Sequence, residues 1–154
     1  MTKMFNNLIN LFTKPLDETK PTTDEGGILA LSALFIRIAK LDGNFDKREI
    51  AKIKDIVRDR FQLGEKKTED VLAMAAKLES QSNDNIQFTK IIKESIAYEE
   101  RFNVLKDCWS LVMADGTRTY EEDGFMRLFC SLLGLSDKDN AIARQVILKE
   151  QENN

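Results

Sequence analysis

The chain of 154 residues contains no histidine. That absence removes the commonest general base and the commonest transition-metal ligand together. Cysteine is scarce: Cys108 and Cys130 each sit in an apolar helical run, and neither has the CxxC neighbour of a zinc or redox site. Both read as buried free thiols in a reducing compartment. The only prolines are Pro15 and Pro21, so from Ile28 onward no proline interrupts a helix. No run approaches the ~20 apolar residues of a membrane span, and the amino terminus lacks the apolar core and cleavage site of a signal peptide. A cytoplasmic protein is expected. Neither sign of charge dominates: 23 basic against 26 acidic side chains leave a net charge of −3, which gives no electrostatic footprint for nucleic acid.

What is present points to one helical domain. Hydrophobic residues at 42% and charged residues at 32% are globular proportions, and the length suits a single core. Residues 1–27 form a separate stretch. Met1, Met4, Phe5, Leu8, Leu11 and Phe12 have the spacing of a short amphipathic helix, and the run from Pro15 to Glu25 has the composition of a linker. Residues 28–151 carry a helical period nearly throughout, with no strand-like alternation. The pattern predicts an all-α fold of about seven helices, at 28–41, 47–61, 66–80, 85–96, 99–114, 120–133 and 137–151, with boundaries good to about 2–4 residues. Apolar stripes through Leu31, Leu34, Phe35, Ile38 and Ala39, then Ile50, Ile53, Ile56, Val57 and Phe61, mark the core of the first part. Leu105, Trp109, Val112 and Met113, then Phe125, Leu128, Phe129 and Leu132, do so for the second.

These two parts are copies. Ile38 to Glu49 lies over Leu111 to Glu122 without a gap, Asp42-Gly43 on Asp115-Gly116 and Glu49 on Glu122, and each following helix runs into a leucine-glycine turn at Leu63-Gly64 or Gly134-Leu135. A helix–loop–helix hairpin has been duplicated, giving two pseudo-symmetric halves.

The repeated motif has two chemical readings. In the structural one, Gly43 and Gly116 close a helix in the left-handed conformation, and Asp46-x-x-Glu49 and Thr119-x-x-Glu122 are capping boxes. In the functional one, Asp42, Asn44, Asp46 and Glu49 converge oxygen ligands suited to a hard divalent cation. Asp-x-Asn-x-Asp opens like an EF-hand loop. It departs at Lys47, where that loop needs glycine, and at Ile53, where it needs a bidentate glutamate. The second loop keeps Asp115, Glu121, Glu122 and Asp123 but has Thr117 and Thr119 in the middle, so ligand count favours the first loop.

The doubled Asp-Gly…Glu hairpin, the stretch Gln87-Phe88-Thr89-Lys90-Ile91-Ile92 and the run Glu99-Glu100-Arg101…Cys108-Trp109…Ala114-Asp115-Gly116 together resemble the TerB-like tellurite-resistance family, over about Ile28 to Glu150. The resemblance implies an all-helical fold of two pseudo-symmetric halves. It also implies a divalent metal at acidic loop residues, a role in bacterial stress responses such as that to tellurite, and protein partners at the inner face of the membrane. No catalytic activity comes with it. Carried over by position, the implied metal residues are Asp42, Asp46 and Glu49 in the first loop and Asp115 and Glu122 in the second, where Thr119 stands in place of a usual aspartate. A related helical domain precedes the J-domain in some co-chaperones, but a chain without histidine holds no His-Pro-Asp.

Three functions are therefore open at this level. The leading expectation is a non-enzymatic TerB-like stress-response module with a divalent cation, no organic cofactor and protein partners. The alternative is a pure protein- or membrane-interaction scaffold whose acidic loops are only helix caps. In it residues 1–14 recruit a partner or touch the membrane peripherally, although Lys3 and Lys14 are few charges for anionic lipid. A carboxylate enzyme with a metal comes third, because no polar nucleophile stands out. The pattern leaves oligomeric state open.

Overall fold

The computed structural model describes residues 25–41, 47–82, 85–113 and 120–152, and the amphipathic segment at 1–14 lies outside them. Among the described residues there are seven helices and no strands: α1 (Glu25–Lys40), α2 (Lys47–Phe61), α3 (Glu65–Gln81), α4 (Asn85–Ser95), α5 (Tyr98–Val112), α6 (Tyr120–Leu132) and α7 (Asp137–Glu152). The all-α prediction holds, and apart from the start of α1 each bound falls within two residues of its expected place.

Helix α1 is the axis of the domain. Its sequence is apolar nearly all round, and such a helix must be covered on every side. α2, α3, α4 and α5 pack on it, burying Leu29, Leu31, Leu34, Phe35 and Ile38. Ser32 lies in the same interior and donates its hydroxyl to the Ile28 carbonyl at 2.7 Å, so its polar atom is satisfied within the helix. α1 begins at Glu25, three residues before the expected start at Ile28. Gly26 and Gly27, grouped with the linker on composition, are buried residues of its first turn. Glycine costs a helix ~1 kcal/mol relative to alanine, and tertiary packing outweighs that here.

Shared ion pairs give the direction of the neighbouring helix. Glu25 meets Lys67 at the start of α1 and α3, while Arg37 and Lys40 meet Glu79 at their ends, so the two helices run parallel. α5 and α7 repeat the relation, and Gln151 near the end of α7 donates to the carbonyl of Met113 just past α5 at 3.3 Å.

Duplication extends beyond the motif. The alignment that carries Asp42 onto Asp115 carries the first residue of α1 onto that of α5, and the first residue of α2 onto that of α6. α6 ends two residues early and its closing turn comes one residue early, after which the first residue of α3 matches that of α7. Both second helices end in the same turn, Leu63 N–H bonding Arg58 C=O and Leu135 N–H bonding Cys130 C=O, each at 3.0 Å. The left-handed residue inside that turn is Gly134 in one half, at φ 78°, but Gln62 in the other, at φ 53°. Gly64 is not the left-handed residue of its turn. It precedes α3 at φ −72°, where its carbonyl accepts from the N–H and hydroxyl of Thr68.

Two stripe residues are not core. Ile50 is 44% exposed and Leu128 48% exposed. α2 buries only Ile53 and Val57, and the inward side of α6 is filled by Phe125, Met126, Phe129 and Cys130, which leaves Leu128 on the flank.

Candidate functional site

The candidate site is a pair of corners, one between α1 and α2 and one between α5 and α6. Of the five predicted metal residues, Asp42, Asp46 and Asp115 lie outside the described residues, as do the glycines and caps of both turns. Glu49 and Glu122 are described. Each is the third residue of its helix, Glu49 half-buried on α2 and Glu122 only 4% exposed on α6, and each has an interaction partner. A carboxylate in the first turn also faces the positive end of its helix, so both positions favour negative charge. Among the described residues no group of three or more Asp, Glu, Cys or His is arranged to hold a metal ion. Glu49 and Glu122 alone are too few oxygens, and a cation site at either corner needs the aspartates of the loops.

Each corner is framed by a tie between the ends of the first and third helices of its half. At the first, the Glu79 carboxylate accepts Lys40 Nζ at 2.7 Å and Arg37 Nε at 3.2 Å. The Arg37 guanidinium also donates to the carbonyls of Glu79, at 3.2 Å, and Ser82, fastening the end of α3. At the second, the tie is the neutral bond from Gln151 to Met113. Sequence reasoning missed Glu79. The available signal was an acidic residue following Val71, Met74, Ala75 and Leu78 on the buried side of a helix, a placement that requires a cationic partner.

Residues singled out by motif have structural work. Arg101, in the first turn of α5 after Glu99 and Glu100, donates to Leu133 C=O at 3.2 Å and Lys93 C=O at 3.0 Å, joining the ends of α6 and α4. Its guanidinium lies 5.4 Å from the centre of the Tyr98 ring. Trp109 is buried and donates its indole N–H to Asn140 Oδ1 at 2.8 Å, tying α5 to α7. Between the halves, Arg60 at the end of α2 pairs with Asp107 of α5 and donates to Asn103 C=O at 3.2 Å. Burial holds the Asp107 carboxyl above its ordinary range although Arg60 draws it down.

The thiols are poor nucleophiles. Burial pushes Cys108 well above the usual thiol range, with the Asp107 charge adding to it, and pushes Cys130 up to about 11. Both stay protonated at neutral pH, as expected of buried free cysteines. None of the described helices is long and apolar enough to cross a membrane.

The sequence model of one family, described as Tellurite resistance protein TerB, matches residues 28–145, from the first apolar turn of α1 into α7. The chain belongs to the TerB family. Searches of curated proteins and of solved structures returned no match. For this TerB-family chain the match spans both copies of the hairpin and α4 between them, starting where the motif resemblance does and ending five residues before Glu150.

Proposed function

We propose that this TerB-family protein is a non-enzymatic stress-response module of the tellurite-resistance type, which holds a divalent cation at an acidic corner and acts through protein partners. The observation that carries the reading is the equivalence of the two corners. Matched helix ends flank both Asp-Gly turns, and a carboxylate occupies the third position of the outgoing helix in each half, Glu49 and Glu122. Asp42 and Asp46 would join Glu49, and Asp115 would join Glu122. All of these donors are oxygens, a set that suits calcium, magnesium or manganese better than softer metals. The bound ion would draw the aspartates and the helix glutamate of one corner together, and no chemistry beyond that is assigned to it.

Calorimetric titration with calcium, magnesium, manganese and zinc tests the cation. Saturable heat is expected for the wild type, weakened by Asp42→Ala/Asp46→Ala. No heat, or the same heat in both this variant and Glu122→Gln, rejects the reading.

One observation favours a second reading, a scaffold whose corners are only helix caps. Ser136-x-x-Asp139, at the start of α7, has the spacing of Asp46-x-x-Glu49 and Thr119-x-x-Glu122 and closes as a capping box through its own hydrogen bonds. Ser136 N–H donates to Asp139 Oδ2 at 3.0 Å, and Asp139 N–H to Ser136 Oγ at 3.1 Å. In that reading residues 1–14 provide the contact, with a partner or at the inner membrane face. Deleting residues 1–20 and fractionating cells separates the two, because unchanged distribution and unchanged partner recovery count against the scaffold.

A further inference from the structure

Aligning the two halves also shows where they have parted. Lys52 on α2 stands where α6 has Phe125, Lys106 on α5 where α1 has Ala33, and Arg144 on α7 where α3 has Leu72. Phe125 and Ala33 are buried, and Leu72 is packed against the core. Lys52 is instead exposed, and Lys106 and Arg144 are half-buried. At each of these three places one copy closes the core and the other puts a cation at the surface.

The three cations are gathered about α5, which packs against both α2 and α7. Burial raises the Asp107 carboxyl, and Arg60, Lys106 and Lys52 all oppose it, so Lys52 and Lys106 flank the same carboxylate. Lys106 Nζ lies 5.7 Å from the centre of the Phe102 ring, and the Arg144 guanidinium lies 6.0 Å from the centre of the Trp109 ring. Lys106 and Trp109 are three residues apart, which makes them neighbours on the helix surface. Asp107 is already matched by Arg60, and Asp55 and Asp59 of α2 are taken up by Arg58. Among the described residues no carboxylate forms an ion pair with Lys52, Lys106 or Arg144.

We propose that this strip across α2, α5 and α7 is a docking face for an acidic segment of a partner protein, with Lys52, Lys106 and Arg144 receiving its carboxylates. Helices pack about 8–10 Å apart, so cations on three of them are spread too widely for one phosphate group and suit carboxylates spaced along a peptide. Phe102, half-buried beside Lys106, adds apolar surface for the segment's other side chains. A long polyanion or an anionic membrane would also meet the chain's net charge of −3, whereas a short segment seated on the strip is screened from most of it. The inference rests on the reading that the protein acts through partners, and no metal ion enters it.

Titrating the full chain, in EDTA, with a fluorescein-labelled peptide of glutamate and leucine tests the face, read by peptide anisotropy. Saturable binding is expected, weakened by added salt. Lys52→Gln/Lys106→Gln/Arg144→Gln should weaken it about tenfold, the effect of three exposed ion pairs, while Lys66→Gln/Lys90→Gln/Lys93→Gln, with the same net charge, should change it less than about twofold. Lys52→Gln/Arg144→Gln leaves Lys106 on Phe102 and should lose about fivefold, which secures the comparison if the triple variant does not fold. No binding, or equal losses in the two triple variants, overturns the proposal. So does binding of the wild type to phosphatidylglycerol vesicles in place of the peptide. Because the chelator removes divalent ions, failure here leaves the calorimetric test of the corners unaffected.

Discussion

Replacing Arg101 with methionine tests whether one guanidinium joins the ends of two helices. The substitution keeps most of the aliphatic stem and removes both bonds, Nη1 to Leu133 C=O and Nη2 to Lys93 C=O. A hydrogen bond from a charged group contributes ~1.5–3 kcal/mol net when it is shielded, and an exposed one less. The Leu133 bond is partly buried and the Lys93 bond exposed. A fair sum is therefore ~2–4 kcal/mol, less a little because Arg101 Nε is buried without a partner and its desolvation cost disappears. For a domain of this size each kcal/mol lowers Tm by about 2–4 °C, so a fall of roughly 5–15 °C is expected. Urea and thermal unfolding followed by far-UV circular dichroism and by the fluorescence of Trp109, the one tryptophan in the chain, would measure it. Arg101→Lys should fall in between, because a single ammonium cannot present two parallel donors to carbonyls on different helices. A methionine variant within ~0.5 kcal/mol of wild type, the range of ordinary surface substitutions, would refute the reasoning.

Two more perturbations probe the frame of the corners. Glu79→Gln leaves Arg37, whose side chain is 14% exposed, without its carboxylate, and a loss of ~2–4 kcal/mol in urea unfolding is expected, toward the lower end because Lys40 is partly solvated. Acid should weaken the start of α7: Ser136 N–H and hydroxyl bonds hold the Asp139 carboxyl below its ordinary range, so its stabilisation is present above about pH 4 and is lost as pH falls through the lowered value. Asp139→Asn should flatten that part of a plot of urea midpoint against pH between 5 and 2, and an unchanged slope would remove Asp139 from the account.

Local periodicity made the fold legible. Every helix of the domain has its apolar residues at helical spacing, and the duplicated turn is contiguous in sequence, so neither needed knowledge of distant contacts. What stayed hidden depends on partners far along the chain. Nothing near Glu79 announces Arg37 and Lys40, and Arg101 reads as an ordinary first-turn residue until Lys93 and Leu133 are beside it. The turn before Gly64 hides its left-handed residue for a subtler reason. Glycine is the usual left-handed residue, but Gln62 takes that conformation here with its side chain bonded to Asp59 C=O at 2.8 Å, which frees Gly64 to begin α3. Ile50 and Leu128 show the limit of a stripe, since spacing places a residue on a side of a helix without saying how far the neighbouring helices reach.

The broken symmetry bears directly on which corner would hold a cation. Ligand count favours the first, where Asp42, Asn44, Asp46 and Glu49 offer side-chain oxygens against two threonines in the second. Charge argues the other way. Lys40, Lys47 and Arg48 offset Asp42, Asp46 and Glu49 around the first corner, whereas only Arg118 stands against Asp115, Glu121 and Glu122 around the second. Two unit charges about 4 Å apart interact by ~1 kcal/mol in water and several-fold more near a protein surface, so the surplus of carboxylates at the second corner is comparable to the gain from one extra ligand at the first. Preorganisation also favours the second, because Glu122 is buried on its helix while Glu49 is only half-buried on α2. If coordination number governs, removing Asp42 and Asp46 abolishes the heat; if charge and order govern, that variant keeps binding through Asp115 and Glu122, and Glu122→Gln is the change that ends it.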